Sequence, residues 1–358
     1  MTSPSRRHAH VVGLGLIGGS LALALGERGW VVTGDDHDPL VAASARSQGV
    51  VTGHEPLAAT ELVVIATPAR AVVGVARAIL ARLPGEAVVI TDVAGVKAGI
   101  VGALDDPRFV GGHPMAGSEL RGLAGARRDM FTGCTWVLTP TAHTPPEHYT
   151  RVHGVLRELG ANVIAMAPED HDRLVALASH VPHLVAGALM NQAAAVAEEE
   201  VVLLQLAAGG FRDMTRIAAG DPGIWPDVLF ENRDAVVGAL DSLQSRLADL
   251  RDTIEHGDGD RLADALRRAA VARRHLPGRA LRADQLTYLR VPVSDRPGEL
   301  ATITTAASEL GVNIYDIEIA HGIEGVRGTL LLALEAGQEA LLADELTRRG
   351  FTVGREAP

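Results

Sequence analysis

The sequence is poor in cysteine: its 358 residues include one, Cys134, which excludes an intrachain disulfide and a metal site built from cysteines alone. Positive charge is also scarce, since 33 lysine and arginine residues stand against 44 aspartate and glutamate residues. The resulting net charge of −11 repels a phosphate backbone, so we expect no nucleic-acid partner. No uninterrupted apolar run reaches bilayer length, and no apolar segment follows the basic start as a secretory signal requires. We therefore expect a cytoplasmic protein that binds no membrane.

The residues that are present predict an α/β protein of two or three domains. Apolar runs alternate with helical patterns over residues 1–170, which predicts a Rossmann-type, doubly wound parallel sheet. Residues 171–283 show only apolar, alanine-rich helical patterns and predict an all-helical domain. Such helices must bury their apolar faces, and we expect a homodimer built there. Residues 285–358 follow the order βαββαβ, which is typical of ferredoxin-like domains.

The stretch 10–36 predicts a dinucleotide-binding turn, with a plain glycine turn as the alternative. A short apolar strand leads into Gly13, Gly15 and Gly18, and a helix and a second strand follow. Gly13 permits the tight turn, Gly15 lets a pyrophosphate approach the backbone, and Gly18 lets the helix pack closely. The second strand ends in Asp35 and Asp36, of which we favour Asp36 as the acceptor for a ribose 2′-OH. A carboxylate there repels a 2′-phosphate, so NAD is preferred over NADP.

Further residues are expected to line the same cofactor. Leu16 and Ile17 open the helix, whose free N–H groups and positive dipole end attract phosphates. Other residues follow later apolar strands and should lie at the same carboxyl edge of the sheet. These further cofactor-binding candidates are Thr67, Pro68, Asp92 and Gly95.

Three histidines and one arginine stand in patterns that carry chemistry. His113 follows Gly111-Gly112 at a strand end, where little side-chain bulk surrounds it, and an imidazole there suits a general base or merely a turn cap. His180 and His183 share one helix face, but no third ligand stands at metal spacing, so we expect no metal site. Arg216 can clamp a carboxylate through its planar fork. A surface ion pair with Asp213 is the simpler alternative.

Taken together, these motifs resemble the prephenate/arogenate dehydrogenase family of tyrosine biosynthesis. The matching segments run in the family's order over most of residues 8–235. They are GLGLIGGSLA (13–22), VIATP (64–68), TDVAGVK (91–97), GGHPMAGSE (111–119), SHVPH (179–183), GGFRDMTRIA (209–218) and DPGIWPD (221–227). The tail, with DRPGELA at 295–301, resembles an ACT regulatory domain, a domain that often binds amino acids at subunit interfaces.

The resemblance implies NAD-dependent oxidative decarboxylation of prephenate to 4-hydroxyphenylpyruvate, or of arogenate to tyrosine, with tyrosine as the default effector. A hydride leaves ring C4 for the nicotinamide while a base draws off the hydroxyl proton, and the loss of carbon dioxide makes the ring aromatic. The resemblance implies that His113 is that base and that Arg216 holds a substrate carboxylate. The full set of substrate-binding residues that it implies is His180, His183, Arg216, Asp213, Glu119 and Ser118.

One position departs from the family pattern. Gly95 stands where the family usually has a serine, whose hydroxyl helps to hold the catalytic histidine. A water, Ser118 or Thr91 could replace that hydroxyl, or the rate could be lower.

Two other functions are alternatives to this catalytic activity. A regulator that binds a dinucleotide and an amino acid but has lost catalysis is disfavoured by the intact histidines and Arg216. An unrelated 3-hydroxy-acid dehydrogenase gives no reason for GGHPMAGSE and SHVPH together.

Overall fold

The computed structural model describes residues 6–83, 85, 87–116, 120–197, 203–274, 286–294, 299–321 and 327–355. The chain divides into two compact units, Met1–Arg246 and Leu247–Pro358. The candidate site residues Ser118 and Glu119 lie outside the described residues.

A seven-stranded sheet forms the centre of the first unit, with strand order β2-β1-β3-β4-β5-β6-β7. Its strands are β1 (His8–Val12), β2 (Val31–Asp35), β3 (Thr60–Ile65), β4 (Val89–Asp92), β5 (Phe109–Pro114), β6 (Thr135–Thr139) and β7 (Asn162–Ala165). Neighbouring strands are parallel except β5 and β6, which are antiparallel. The Rossmann-type, doubly wound sheet is confirmed, with β5 and β6 as an antiparallel pair within it. An antiparallel neighbour needs no crossover helix, and the chain between β5 and β6 turns through the short 3-10 segment Leu123–Gly125.

Helices cover both faces of this sheet, so its central strands are buried on both sides. The covering helices are α1 (Leu16–Glu27), α2 (Pro39–Ser47), α3 (Ala69–Arg82), α4 (Ala98–Ala103) and α5 (Pro146–Glu158). Successive residues of β3 enter opposite cores: Leu62 and Val64 pack in one cluster, and Val63 and Ile65 pack in the other. This burial explains why the strand reads as a continuous apolar run rather than an alternating one.

The helical segments that follow begin at residue 168. They are α6 (Pro168–Val175), α7 (Val181–Ala197), α8 (Leu203–Leu206), α9 (Gly209–Thr215), α10 (Trp225–Glu231), α11 (Arg233–Glu255) and α12 (Gly259–Arg274). A π-helical turn, Ala176–His180, joins α6 to α7. Pro182 lies just after this turn and has no N–H to continue the α-helical hydrogen bonds. The predicted all-helical region is confirmed in its described residues, and this turn divides the first long helical stretch, Pro168–Ala197.

Within the described residues, the helical stretch Pro168–Ala197 is long and apolar enough to cross a membrane by length and composition alone. The prediction from uninterrupted apolar runs did not identify it, because polar residues interrupt the stretch. Three of those residues, His171, Asp172 and His180, are buried within the protein. Buried polar groups of this kind are typical of a helix packed in a globular domain.

The second unit contains a four-stranded antiparallel sheet with the order β11-β8-β10-β9. Its elements are β8 (Leu286–Ser294), α13 (Glu299–Glu309), β9 (Ile314–His321), β10 (Arg327–Glu335), α14 (Glu339–Arg348) and β11 (Gly354–Arg355). Leu289, Ile303, Leu332 and Leu346 pack in its core. The predicted βαββαβ order is confirmed, and part of the DRPGELA motif, residues 295–298, lies outside the described residues.

Candidate active site

The glycine turn has the geometry that its sequence predicts. Gly13 has a φ of +92°, and a Cβ built there would lie 2.4 Å from the Ala66 carbonyl oxygen. A Cβ at Gly18 would lie 1.8 Å from the Gly13 carbonyl oxygen, so a side chain would force α1 away from the turn. A Cβ at Gly15 would meet no atom within 4 Å. The turn therefore leaves open space in front of the backbone at which α1 begins, which fits a bound pyrophosphate.

Asp36 lies at the end of β2, against this turn. Its Oδ2 accepts the Leu14 N–H at 2.7 Å, and its Oδ1 accepts the Asp38 N–H at 2.9 Å. A carboxylate oxygen has a second acceptor site, so Asp36 retains the capacity to bind a ribose hydroxyl. Asp35 instead contributes its main-chain carbonyl, which accepts the Gly13 N–H at 2.7 Å. These contacts favour Asp36 over Asp35 for the ribose.

Four other cofactor candidates lie at the same edge of the sheet. Leu16 and Ile17 are the first residues of α1 and are half-buried. The N–H groups of a helix's first turn have no partner within the helix and can bind a phosphate. Thr67 and Pro68 follow β3, and Pro68 is the exposed residue before α3. The Thr67 hydroxyl oxygen is buried and has no hydrogen-bond partner in the described part of the chain. An unsatisfied hydroxyl at this edge fits a polar ligand.

Asp92 has a structural role, which corrects its prediction as a cofactor contact. It is fully buried and forms an ion pair with the equally buried Lys97. Its Oδ2 also accepts the Ala94 N–H, and its Oδ1 accepts the Gly112 N–H, both at 3.0 Å. With no exposed surface, Asp92 cannot touch a dinucleotide; it joins the end of β4 to β5 instead.

His113 lies on β5 next to this ion pair and is half-buried. The two glycines before it serve packing rather than space around the imidazole, contrary to the prediction. A Cβ at Gly111 would lie 2.4 Å from the Thr139 hydroxyl, and a Cβ at Gly112 would lie 2.7 Å from the Asp92 carbonyl oxygen. The glycines therefore let β5 pack closely against the neighbouring residues. This close packing determines how far His113 is buried.

Two residues that the sequence did not single out hold the His113 ring. His113 Nδ1 lies 2.8 Å from Nε2 of His171, and His171 Nδ1 lies 2.7 Å from Oδ1 of Asp172. Asp172 in turn accepts the backbone N–H groups of Lys97 and Ala98, at 2.7 and 2.8 Å. No local pattern marks His171, because its partner is 58 residues away along the chain.

The other ring nitrogen of His113 faces Gly95. A Cβ built at Gly95 would lie 3.7 Å from His113 Nε2 and 3.9 Å from the Val228 side chain. Because Gly95 has no side chain, the position in front of Nε2 that a methyl group would fill, between the loop after β4 and α10, is left free.

Burial of the ring lowers the pKa of His113 well below its ordinary value, and the nearby His171, Lys97 and His180 lower it further. A lower pKa keeps the imidazole neutral at physiological pH. A neutral imidazole with a free lone pair is the form that a general base requires.

The structure separates the two histidines of the SHVPH motif. His180 is 2% exposed, and its Nδ1 lies 3.2 Å from the side-chain amide of Asn232. Its prediction as a substrate contact is not supported, because protein covers nearly its whole ring. His183 is half-buried and stacks on Trp225, with ring centroids 3.7 Å apart. The Trp225 ring also meets the His180 ring edge-on, with centroids 6.2 Å apart. This tryptophan, which the sequence prediction missed, therefore packs beside both histidine rings.

Arg216 and Asp213 are exposed. Asp213 lies on α9, and Arg216 opens the 3-10 segment Arg216–Ala219, which packs against α7. A Cβ at Gly220, the next residue, would lie 3.6 Å from His183. The structure therefore brings the Arg216 segment to His183, whereas no contact joins Arg216 to His113 in the described chain. Among the described residues, no group of three or more His, Cys, Asp or Glu side chains is arranged to hold a metal.

The Gly95→Ser substitution tests the one departure from the family motif. The φ of Gly95 is not positive and the nearest atoms are at ordinary contact distance, so we expect a normally folded protein. The new hydroxyl would lie beside His113 Nε2, where it can accept a hydrogen bond from a ligand hydroxyl, and we expect kcat to rise about threefold, the effect of one modest hydrogen bond. Gly95→Ala is the matched control, since it adds the Cβ without the hydroxyl. Equal steady-state rates for the two variants would contradict the expectation.

The comparisons with known proteins agree on one family. A family model for "Prephenate dehydrogenase, nucleotide-binding domain" matches residues 21–165, and one for "Prephenate dehydrogenase, dimerization domain" matches residues 167–268. A prephenate dehydrogenase of Bacillus subtilis is 31% identical over 348 residues, which covers 94% of each chain.

Two solved structures are also similar. One is prephenate dehydrogenase from A. aeolicus in complex with hydroxyphenyl propionate and NAD+, with a TM-score of 0.70 and 31% identity over 76% of this chain and 99% of that one. The other is Synechocystis arogenate dehydrogenase, with a TM-score of 0.65 and 30% identity over 74% of this chain and 98% of that one.

Proposed function

Because this chain belongs to the prephenate dehydrogenase family, we propose that His113 and the residues around it perform the family's reaction at the carboxyl edge of the sheet. The activity is NAD-dependent oxidative decarboxylation of prephenate to 4-hydroxyphenylpyruvate in tyrosine biosynthesis. One observation carries the assignment of the base: His113 Nδ1 is bound to His171, whereas Nε2 faces Gly95, where a Cβ would lie 3.7 Å away.

The cofactor site is proposed to lie along the glycine turn. NAD supplies the hydride acceptor when it is bound. Gly13, Gly15 and the start of α1 fit its pyrophosphate, since the turn is open there, and Asp36 fits its adenosine ribose. Thr67 offers a buried hydroxyl at the same edge.

The proton chemistry is proposed for His113 Nε2. The nitrogen accepts the proton of the substrate's C4 hydroxyl while C4 gives up its hydride. The ring carboxylate leaves as carbon dioxide, and its bonding electrons complete the aromatic ring. Prephenate and NAD+ thus yield 4-hydroxyphenylpyruvate, carbon dioxide and NADH, with the proton held on His113 returned to the phenolate oxygen that aromatisation leaves. Gly95 and Val228 border the space in which this hydroxyl lies.

Arg216 and His183 are proposed to bind the substrate's carboxylates, with Asp213, Glu119 and Ser118 shaping the pocket. The Arg216–Ala219 segment packs against the helix that carries His183, which supports a shared role. Both groups can donate hydrogen bonds to a carboxylate.

The Arg216→Lys substitution tests this assignment. Lysine keeps the charge but loses the planar fork, so we expect KM for prephenate to rise about tenfold while KM for NAD is unchanged. Initial rates of NADH formation measure both constants. Arg212→Lys, an exposed arginine on α9, is the control and should behave as the parent. If both variants give the same KM for prephenate, Arg216 does not clamp the carboxylate.

We propose that the chain forms a homodimer in which the partner subunit covers the exposed apolar side chains of the helical region. Leu206 and Phe230 are 73% and 75% exposed, and Leu177 and Met214 are also largely exposed. Apolar side chains of this size rarely remain in water over a continuous region of a protein. Light scattering on the purified protein should give twice the chain mass of 37.5 kDa. A chain that stays monomeric at micromolar concentration would contradict the proposal.

The C-terminal βαββαβ domain is proposed to be an ACT domain that binds tyrosine, in a cytoplasmic enzyme with domains 1–170, 171–283 and 285–358. The strand order β11-β8-β10-β9 supports the ferredoxin-like architecture on which this proposal depends. Tyrosine is expected to lower the steady-state rate of the whole enzyme. If the rate is the same with and without tyrosine, tyrosine is not the effector.

A side-by-side assay tests the function as a whole. Prephenate and arogenate are each offered with NAD and with NADP, and reduced cofactor is followed by absorbance. We expect NADH from prephenate and a much slower reaction with NADP, because Asp36 repels a 2′-phosphate. If NAD binds but neither substrate yields NADH, the chain is a regulator rather than an enzyme.

A further inference from the structure

The hydrogen bonds around His171 determine which nitrogen of His113 carries a proton. A carboxylate only accepts hydrogen bonds, so the 2.7 Å contact between Asp172 and His171 places a proton on His171 Nδ1. In the neutral form of His171 the lone pair is then on Nε2, where it accepts a hydrogen bond from His113 Nδ1 at 2.8 Å. His113 is left with its proton on Nδ1 and its lone pair on Nε2, the nitrogen that faces Gly95.

This arrangement is rigid because each member is buried and anchored. His171 is 0% exposed, and Asp172 is 6% exposed. The Asp172 carboxylate also accepts the backbone N–H groups of Lys97 and Ala98, which fixes it to the start of α4. The two imidazole rings meet edge-on, with an interplanar angle of 74° and centroids 5.1 Å apart. His171 is thus held at both ring nitrogens, and His113 cannot turn its Nδ1 toward the substrate without losing the hydrogen bond to His171.

We propose that His171, oriented by Asp172, is a positioning residue that fixes the tautomer and the ring orientation of the base His113. This inference rests on the proposed role of His113. Free imidazole exchanges between its two tautomers, and only the form with a lone pair on Nε2 can accept the substrate's proton in this geometry. The carboxylate–histidine pair orients a second histidine here, as the acid of a catalytic triad orients its single histidine.

Replacing His171 with phenylalanine removes both hydrogen bonds and keeps a ring of similar size. We expect kcat to fall about thirtyfold, with KM for prephenate and NAD changed less than about threefold, because orientation rather than binding is lost. Nitrogen-15 NMR on histidine-labelled enzyme should show His113 protonated at Nδ1 in the parent and a mixture of tautomers in the variant. His148→Phe, at a buried histidine of α5 bound to the Pro107 carbonyl, is the matched control and should preserve both the tautomer and kcat.

His171→Gln separates positioning from simple packing. Its side-chain oxygen can still accept from His113 Nδ1, so we expect more Nδ1-protonated His113 and a higher kcat than in His171→Phe. This variant also serves if the phenylalanine variant does not fold. If His113 keeps one tautomer and its parental kcat in His171→Phe, or if glutamine shows no recovery in either measurement, the positioning role is wrong. His113→Asn with full activity would instead refute His113 as the base, a separate outcome.

Discussion

Replacing His113 with asparagine is expected to lower kcat at least about a thousandfold, within the range that a lost general base produces. Asparagine fills similar space and can accept the hydrogen bond of the hydroxyl, but it cannot take up the proton. Because His113 lies beyond the glycine turn, we expect the dissociation constant of NAD to change less than about twofold. Steady-state assays and calorimetric titration with NAD measure the two quantities. A variant with parental kcat would show that another group removes the proton.

The pH dependence of the parent enzyme checks the same assignment. The base must be neutral, so the rate falls as pH drops through the pKa of His113. Burial and the neighbours His171, Lys97 and His180 lower that pKa well below 6.5. We therefore expect kcat to stay constant through neutral pH and to decline only at pH values well under 6.5. An acidic decline centred at or above 6.5 would contradict the lowered pKa.

Replacing Lys97 with methionine is expected to destabilise the protein by about 3–5 kcal/mol, as the loss of one partner from a buried ion pair does. Both side chains of the pair are 0% exposed, so removing the amine leaves the Asp92 carboxylate charged and without water. Burial already lowers the pKa of Lys97, while the carboxylates of Asp92 and Asp172 oppose that effect. Urea denaturation measures the free energy of unfolding.

The double variant Lys97→Met with Asp92→Asn is the control for this effect. Asparagine removes the charge, and its side-chain oxygen can still accept one of the two backbone N–H groups that Asp92 binds. We therefore expect the double variant to be more stable than Lys97→Met alone. If the single variant unfolds at the same urea concentration as the parent, the pair contributes little to stability. If the two variants are equally unstable, lost packing rather than the unpaired charge is the cause.

The parts of the site that depend on neighbours in sequence were predictable. The turn at Gly13 and Gly18 follows from backbone sterics within a few residues, and the structure has the predicted contacts. The carboxylate at Asp36 likewise follows from its place at the end of a strand. The βαββαβ order could be predicted because turns separate its short elements clearly.

The contacts between distant segments were not predictable. His113 on β5 meets His171 on α6 only through the tertiary fold, in a contact that no periodicity encodes. Trp225 stacks on His183 for the same reason. Asp92 has a strand-end position like that of a ligand-binding acid, but Lys97, five residues later, turns inward and pairs with it. Strand-end position thus indicates where a residue lies but not whether its side chain faces solvent.

Asn232 links the hydrogen-bonded chain His113–His171–Asp172 to residues outside it. Its side-chain amide donates to the main-chain oxygen of Asp172 at 2.8 Å and lies 3.2 Å from His180 Nδ1. Asn232, the residue between α10 and α11, thereby joins these helices to α6 and to the π-helical turn. A relative with another residue at position 232 would lose this hydrogen bond to Asp172. The orientation of His113 would then change although every residue of the pocket stayed the same.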